Sequence, residues 1–134
     1  MKKILFVYLF FFTTFVYAGK LSLLDEASQL GTMDGLAEAC GAKKKLKNYE
    51  LIALALITNK ASSEEQRQEA YRRYAEQKVR AKDEHKKNPK MSCSEILNRF
   101  EKMPLFKSIV YQDGSLKFYD GSYYPAKGLN TTKK

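Results

Sequence analysis

The feature that most constrains this fold is a pair of cysteines, Cys40 and Cys93, the only two in the 134 residues. Each lies on an apolar stripe with the i, i+3, i+4, i+7 spacing of one helix face. The stripes are Met33, Leu36, Ala37 and Cys40, and Cys93, Ile96, Leu97 and Phe100. A disulfide between them would join two core-facing surfaces, and closing so long a loop would stabilise the fold by about 4 kcal/mol in the chain-entropy model.

The alternative role for this pair is a redox-active dithiol. Catalytic cysteines of that kind are usually spaced Cys-x-x-Cys, an arrangement that lowers the pKa of one thiol. The wide separation of Cys40 and Cys93 therefore favours a structural disulfide, and a structural disulfide is typical of an oxidising compartment.

The N-terminus indicates export to such a compartment. Met1-Lys2-Lys3 is followed by an uncharged run from Ile4 to Tyr17, the order of a secretory signal peptide. Val16 and Ala18 are small residues around a larger one, so we predict a signal peptide over residues 1–18, cleavage after Ala18 and a periplasmic or secreted protein. An uncleaved anchor is the alternative, although the run is shorter than the roughly 20 residues of a spanning helix.

The mature chain is predicted to be mainly α, with a small disulfide-stapled bundle of about four to five helices over residues 19–103. A first short helix is expected to end near Gly31, and Tyr49 to Ile57 is expected to be the buried central helix. Ser62 or Ser63 would cap a long helix running to about Lys87. Because the apolar stripe of this helix is thin, its second half is expected to project into solvent. The stripe consists of Ala70, Tyr71, Tyr74, Ala75 and Val79.

After Pro104 the pattern changes to that of strands. Phe106–Tyr111 and Ser115–Tyr119 are β-prone segments separated by a turn containing Asp113-Gly114, a strong hairpin signal. We predict a β-hairpin ribbon over residues 104–125, with a second Asp-Gly turn that leaves room for a third short strand, and a disordered basic tail over residues 126–134. A lone hairpin is marginal in water, so the ribbon must dock on the helices or pair with another chain.

No group of residues in the sequence resembles an active site. His85 is the only histidine, and its highly charged surroundings predict a solvated side chain with no catalytic partner. Neighbouring carboxylates on a helix point in different directions, and the Asp-Gly pairs are accounted for by turns. We therefore predict a non-enzymatic protein with no cofactor and no metal site.

The cations form one candidate binding surface, since the chain carries a net charge of +9. A basic surface attracts anionic envelope polymers or lipids, although such charge runs are often only solvated helix faces. Export disfavours nucleic acid as a partner. The candidate polyanion contacts are Lys43, Lys44, Lys45, Lys47, Lys78, Arg80, Lys82, Lys86, Lys87 and Lys90.

The aromatic residues of the ribbon form a second candidate surface. They either contact a partner, as rigid tyrosines often do, or pack the inner face of the ribbon on Tyr71 and Tyr74; alternation along a strand does not distinguish the two. The candidate partner contacts are Tyr111, Phe118, Tyr119, Tyr123 and Tyr124.

These observations favour an interaction or accessory subunit of a bacterial envelope assembly, of the secretion, conjugation, pilus or flagellar type, whose partner is another envelope protein. A small periplasmic chaperone or stress protein is an alternative, because the layout of short helices joined by one disulfide is similar to that of acid-stress periplasmic chaperones. A protein that binds envelope polyanions is the third. The sequence does not predict an oligomeric state.

Overall fold

The computed structural model describes residues 22–128, which confirm a mainly helical, disulfide-linked unit followed by a β-ribbon. The predicted signal peptide and residues 129–134 of the predicted tail lie outside the described residues. The elements of the described part are α1 (Leu23–Ala39), α2 (Lys44–Lys60), α3 (Glu64–Lys87), α4 (Cys93–Glu101), a 3-10 turn (Pro104–Lys107), β1 (Ile109–Val110), β2 (Leu116–Lys117) and β3 (Tyr123–Tyr124).

Three of these helices have a serine as the N-cap residue. Ser22, Ser63 and Ser92 each accept a hydrogen bond from the backbone N–H three residues later, which satisfies a donor that the first turn leaves free. For α3 the capping residue is therefore Ser63 rather than Ser62. Ser92 and Glu95 have the spacing that predicts a capping box, and the structure confirms Ser92 as the N-cap of α4.

The predicted break at Gly31 is wrong, because α1 runs through it without interruption. A Cβ at Gly31 would lie 2.2 Å from the carbonyl oxygen of Tyr74, and one at Gly35 would lie 2.2 Å from that of Lys78. Both glycines thus allow α3 to approach the backbone of α1 closely, a role that glycine fills because it has no side chain.

The same contact corrects the prediction that the second half of α3 projects into solvent. Lys78 touches α1 through its carbonyl, and Ala81 is buried. Val79, which was assigned to the apolar stripe, is 58% exposed, and Ala75 is exposed as well. The second half of α3 has few bulky apolar side chains. Close packing of its backbone against α1 holds it on the fold instead.

Helix α2 is the centre of the core, as predicted, but it is not buried all round. Tyr49, Ile52 and Ile57 are fully or almost fully buried, whereas Leu51 and Leu54 on its other side are exposed. The helix also begins earlier than expected, at Lys44, so most of the basic run lies within its first turn.

The ribbon forms a three-stranded antiparallel sheet in the order β1-β2-β3, one strand more than the predicted hairpin. It docks on α2, and Leu116 of β2 is fully buried there. The Asn59 side-chain amide donates to the carbonyl of Gly114 (2.8 Å), and its oxygen accepts from the N–H of Lys127 (3.3 Å). Lys127, in the predicted tail, is therefore fixed against α2.

Candidate functional site

Cys40 and Cys93 form the predicted disulfide, with their Cα atoms 5.2 Å apart. The bond joins the end of α1 to the start of α4, and both cysteines are half-buried. The described residues contain no free cysteine. The predicted staple between two helices is confirmed.

The structure contradicts the prediction that His85 is a solvated side chain. Its Nε2 atom lies 3.7 Å from Sγ of Cys40 and 3.5 Å from Sγ of Cys93, and the residue is half-buried. His85 is one helical turn after the buried Ala81, so it continues the face of α3 that packs on α1. The four-residue spacing from Ala81 to His85 could have indicated that His85 faces α1. It was not used because this part of the helix was expected to project into solvent.

A cavity of about 240 Å³ opens beside this histidine. It lies where α1, the end of α3 and the start of α4 meet, and its lining includes Leu36, Glu84, His85, Asn88 and Met91. We call the disulfide and its histidine the disulfide corner (Cys40, His85 and Cys93), and of these three residues His85 lines the cavity.

A second group of polar residues is buried where α1, α2 and α3 meet, and sequence reasoning missed it. Asp34 is fully buried; Oδ2 accepts a hydrogen bond from the Tyr74 hydroxyl, and Oδ1 lies 3.8 Å from Nζ of Lys78. Lys78 also pairs with Glu50 at 2.9 Å. Asp34 is next to Met33 in the sequence but is not part of the apolar stripe to which Met33 belongs. Only the packing of α1 against α3 shows that the Asp34 side chain points inward.

Burial sets the electrostatics of this group. It raises the pKa of Asp34 to about 7, with the neighbouring Glu50 adding to the effect while Tyr74 and Lys78 oppose it. Burial also acts to raise the pKa of Glu50, but the hydrogen bonds with Lys78 and Asp34 and the charge of Lys78 together outweigh it, so the pKa of Glu50 is lowered. Lys78 thus lies close to both carboxyls, but it pairs more closely with Glu50 than with Asp34.

The group changes the interpretation of the candidate polyanion contacts. Lys78 pairs with Glu50 and lies within 4 Å of Asp34, and Lys82 pairs with Glu38 at 3.2 Å, so both are neutralised by acids of the same chain. Lys45 donates to the carbonyl of Glu101 and lies over the ring of Phe106. Within residues 22–128, the candidates that are exposed and make no such pair are Lys43, Lys44, Lys47, Arg80, Lys86, Lys87 and Lys90.

The strand register divides the aromatic candidates between the two faces of the sheet. Ile109, Lys117 and Tyr123 are aligned across the strands, and all three are exposed on the outer face. Val110, Leu116 and Tyr124 are aligned on the inner face toward the core. Three candidates are exposed and two are half-buried against the core; the exposed ones are Tyr111, Tyr119 and Tyr123, and the half-buried ones are Phe118 and Tyr124.

The alternative that the aromatic residues pack the inner face of the ribbon is therefore correct for Phe118 and Tyr124, but the helix beneath the ribbon is not the predicted one. The sheet packs on α2 rather than on Tyr71 and Tyr74 of α3. The outer face is left as a surface with exposed tyrosines.

A groove runs between α2 and strand β1. It has a volume of about 300 Å³, and its apolar lining includes Leu51, Leu54, Val110 and Ala126. A second, more open depression on the sheet is lined by Tyr111 and Tyr123. Asp113 borders both the groove and this depression. We call the groove, strand β1 and this tyrosine depression together the β1-edge surface.

Comparison of the chain with protein-family models, with curated proteins and with solved structures finds no match of any of the three kinds. Within residues 22–128, none of the helices is both long and apolar enough to cross a membrane.

Proposed function

We propose that this chain is an exported, non-enzymatic interaction subunit that binds an extended segment of another envelope protein along the β1-edge surface. The observation that carries this proposal is the exposure of large apolar side chains next to an open sheet edge. Leu51 is 55% exposed and Leu54 is also exposed, although both belong to the central core helix. Contiguous exposed apolar residues are typical of interaction sites.

The sheet edge suits an extended partner. In the order β1-β2-β3, strands β1 and β3 each pair with β2 alone among the described strands. We assign the added strand to β1 because Val110 of β1 lines the apolar groove. Successive side chains of a strand point to opposite faces. An added strand would place alternate side chains in the groove beside Leu51 and on the outer face beside Tyr111, which is how strand addition combines affinity with specificity.

Charge indicates which segment would fit. Lys47 lies one helical turn before Leu51, and Lys107 lies two residues before β1. Lys127 lines the groove, although its ammonium already donates to the carbonyl of Ala61. Asp113, which also borders the groove, already accepts hydrogen bonds from Ser115. These cations favour a segment that combines apolar residues with acidic ones.

Export is part of the proposal and has two supports. The N-terminal pattern is that of a signal peptide cleaved after Ala18, and a disulfide is typical of the periplasm or the exterior. A secretion, conjugation, pilus or flagellar assembly is the kind of envelope structure in which a small subunit of this type would act.

The test compares two substitutions at equally exposed apolar positions. Leu51→Glu introduces a charge into the groove, whereas Val79→Glu does so on α3, where Val79 is 58% exposed. Peptides selected from a random display library on the purified protein should alternate apolar and acidic residues. Their affinity should fall about tenfold or more with Leu51→Glu and stay within twofold with Val79→Glu, because the bound peptide would bury the new carboxylate of Leu51→Glu in the apolar groove without a partner.

A photocrosslinking residue at Leu54 makes the same comparison in cells. It should capture one defined envelope protein that the same residue at Val79 does not capture, and Leu51→Glu should abolish the capture. Equal effects of Leu51→Glu and Val79→Glu would refute the proposal. Binding of many unrelated unfolded clients would favour the chaperone alternative instead. Retention on anionic vesicles that falls steeply with salt and depends on Lys43, Lys86 and Lys87 would favour the polyanion alternative.

A further inference from the structure

The disulfide corner brings three metal-ligating side chains to one point. Sγ of Cys40, Sγ of Cys93 and Nε2 of His85 all lie within 4.8 Å of one another. They come from the end of α1, the start of α4 and the last turn of α3. No part of the proposed binding function uses these atoms.

The distances to the histidine are those that a shared metal ion would require. Zinc binds thiolate sulfur at about 2.3 Å and imidazole nitrogen at about 2.0–2.1 Å with tetrahedral angles, which places sulfur and nitrogen about 3.6 Å apart. Nε2 of His85 lies 3.7 Å and 3.5 Å from the two sulfurs. Only the separation of the two sulfurs would have to increase for all three atoms to surround one ion.

We infer that the reduced form of this protein binds a zinc-like transition-metal ion through Cys40, Cys93 and His85. A dithiol reductant transfers two electrons and two protons to the disulfide, which yields two cysteine thiols and the cyclic disulfide of the reductant. Binding of a divalent ion then releases the two thiol protons. Two thiolates and one imidazole suit zinc and softer ions rather than magnesium or calcium.

The remaining coordination position has room beside it. The cavity of about 240 Å³ next to His85 can hold water, and its polar lining includes Glu84 and Asn88. Three protein ligands and a water molecule form an open site, in contrast to the closed four-ligand sites that are purely structural.

Packing independent of the disulfide holds the three ligands together. Gly31 and Gly35 keep α1 and α3 in close backbone contact, and Ile96 and Phe100 anchor α4 in the core. In a reduced chain that stays folded, this packing keeps the ligands near their present positions.

The experiment uses cobalt(II) as a spectroscopic probe of the purified chain, before and after reduction with a dithiol that is then removed. The oxidised protein should give no thiolate-to-cobalt charge-transfer band. The reduced protein should give this band with the visible absorption of tetrahedral cobalt, and zinc should displace the probe. His85→Ala should weaken cobalt binding about tenfold or more through loss of one ligand, whereas the adjacent Lys86→Ala should change it less than about twofold.

Circular dichroism covers the case in which reduction unfolds the chain. Because metal binding is coupled to folding, zinc should then restore the helical signal of the reduced wild-type protein but not that of His85→Ala. The inference is overturned if the reduced, folded protein gives no charge-transfer band, if His85→Ala binds cobalt as well as wild type, or if zinc fails to restore a reduced, unfolded chain. None of these readouts depends on the β1-edge surface, so they are independent of the proposed binding function.

Discussion

The contact between α1 and α3 and the contact between the sheet and α2 are built in opposite ways. The two helices meet through backbone, at Gly31 against Tyr74 and at Gly35 against Lys78, with the buried Asp34 between them. The sheet has strands of two residues each, and it is held by inner-face side chains and by the hydrogen bonds of Asn59.

This difference separates a closed region from an open one. Close backbone packing leaves no space between α1 and α3 at Gly31 and Gly35, and the disulfide joins α1 to α4 at one end. The sheet keeps an unpaired edge and exposed tyrosines on its outer face. Binding is therefore expected at the sheet, where the fold leaves polar backbone and apolar surface accessible.

The largest effect is expected where the closed region has no free space. In Gly31→Ala the new Cβ would meet the Tyr74 carbonyl oxygen at 2.2 Å, so the two helices would have to separate. We expect a loss of about 3 kcal/mol in the free energy of unfolding, measured by urea denaturation. Gly121→Ala is the control: it meets no atom within 4 Å and has a positive φ of 95°, so only about 1 kcal/mol of backbone strain is expected. Equal losses would show that the close contact is not what stabilises α1 against α3.

The pH dependence of stability tests the buried carboxyl of the closed region. The pKa of Asp34 is raised to about 7, so the folded state holds this proton more tightly than the unfolded state. The resulting stabilisation is complete below about pH 4 and is lost as the pH rises through about 7. Glu50, whose pKa is lowered, acts in the opposite direction and offsets part of this loss.

The amide of Asp34→Asn does not ionise in this pH range. The stability of the mutant relative to wild type should therefore increase as the pH rises. We expect the difference in unfolding free energy to grow by about 4 kcal/mol between about pH 4 and about pH 8, measured by denaturant titrations, because the pKa rises from 3.8 to about 7 and each pKa unit corresponds to about 1.4 kcal/mol. A difference that stays constant with pH would contradict the assigned burial of Asp34.

Asn59 tests how the open region is attached. Asn59→Ala removes the hydrogen bonds to Gly114 and Lys127, and we expect a loss of about 1 kcal/mol. Hydrogen exchange should become faster in β2 while α1 keeps its protection. Asn48→Ala, at an exposed asparagine of the same helix, is the matched control and should change neither. Faster exchange throughout the chain would mean that the sheet and the helices unfold as one unit.

The smallest effect is expected on the outer face of the sheet. Tyr123 is 58% exposed, so Tyr123→Ser should change the unfolding free energy by less than about 0.5 kcal/mol. Tyr124→Ser, at the half-buried neighbour on the inner face, should cost about 1 kcal/mol more because it removes apolar contact with the core. If the two losses are equal, the division of the aromatic residues between the faces is wrong.

Local patterns were sufficient for the caps of two helices, for the first turn of the sheet and for the covalent link. The caps at Ser63 and Ser92 depend on hydrogen bonds within one helical turn, and Cys40 and Cys93 were recognisable because each lies on the apolar face of its helix. The turn at Asp113-Gly114 likewise follows from the positive φ that glycine adopts there.

The sites were less predictable, because they depend on which helix faces each side chain. Gly31 was interpreted as a break, although its role is to admit α3, and His85 was assigned to solvent for want of that contact. Leu51 and Leu54 were counted as core, and only the position of the sheet on α2 shows that they line a groove.

The sequence by itself determined the cap at Ser92, the turn at Asp113-Gly114 and the disulfide partners, since these follow from short-range spacing and from having two cysteines. Tertiary structure alone decided that the glycines of α1 meet the backbone of α3, that His85 touches both sulfurs and that strand β1 borders an apolar groove. These contacts join residues far apart in the chain, and their formation depends on the packing of whole helices rather than on any local preference.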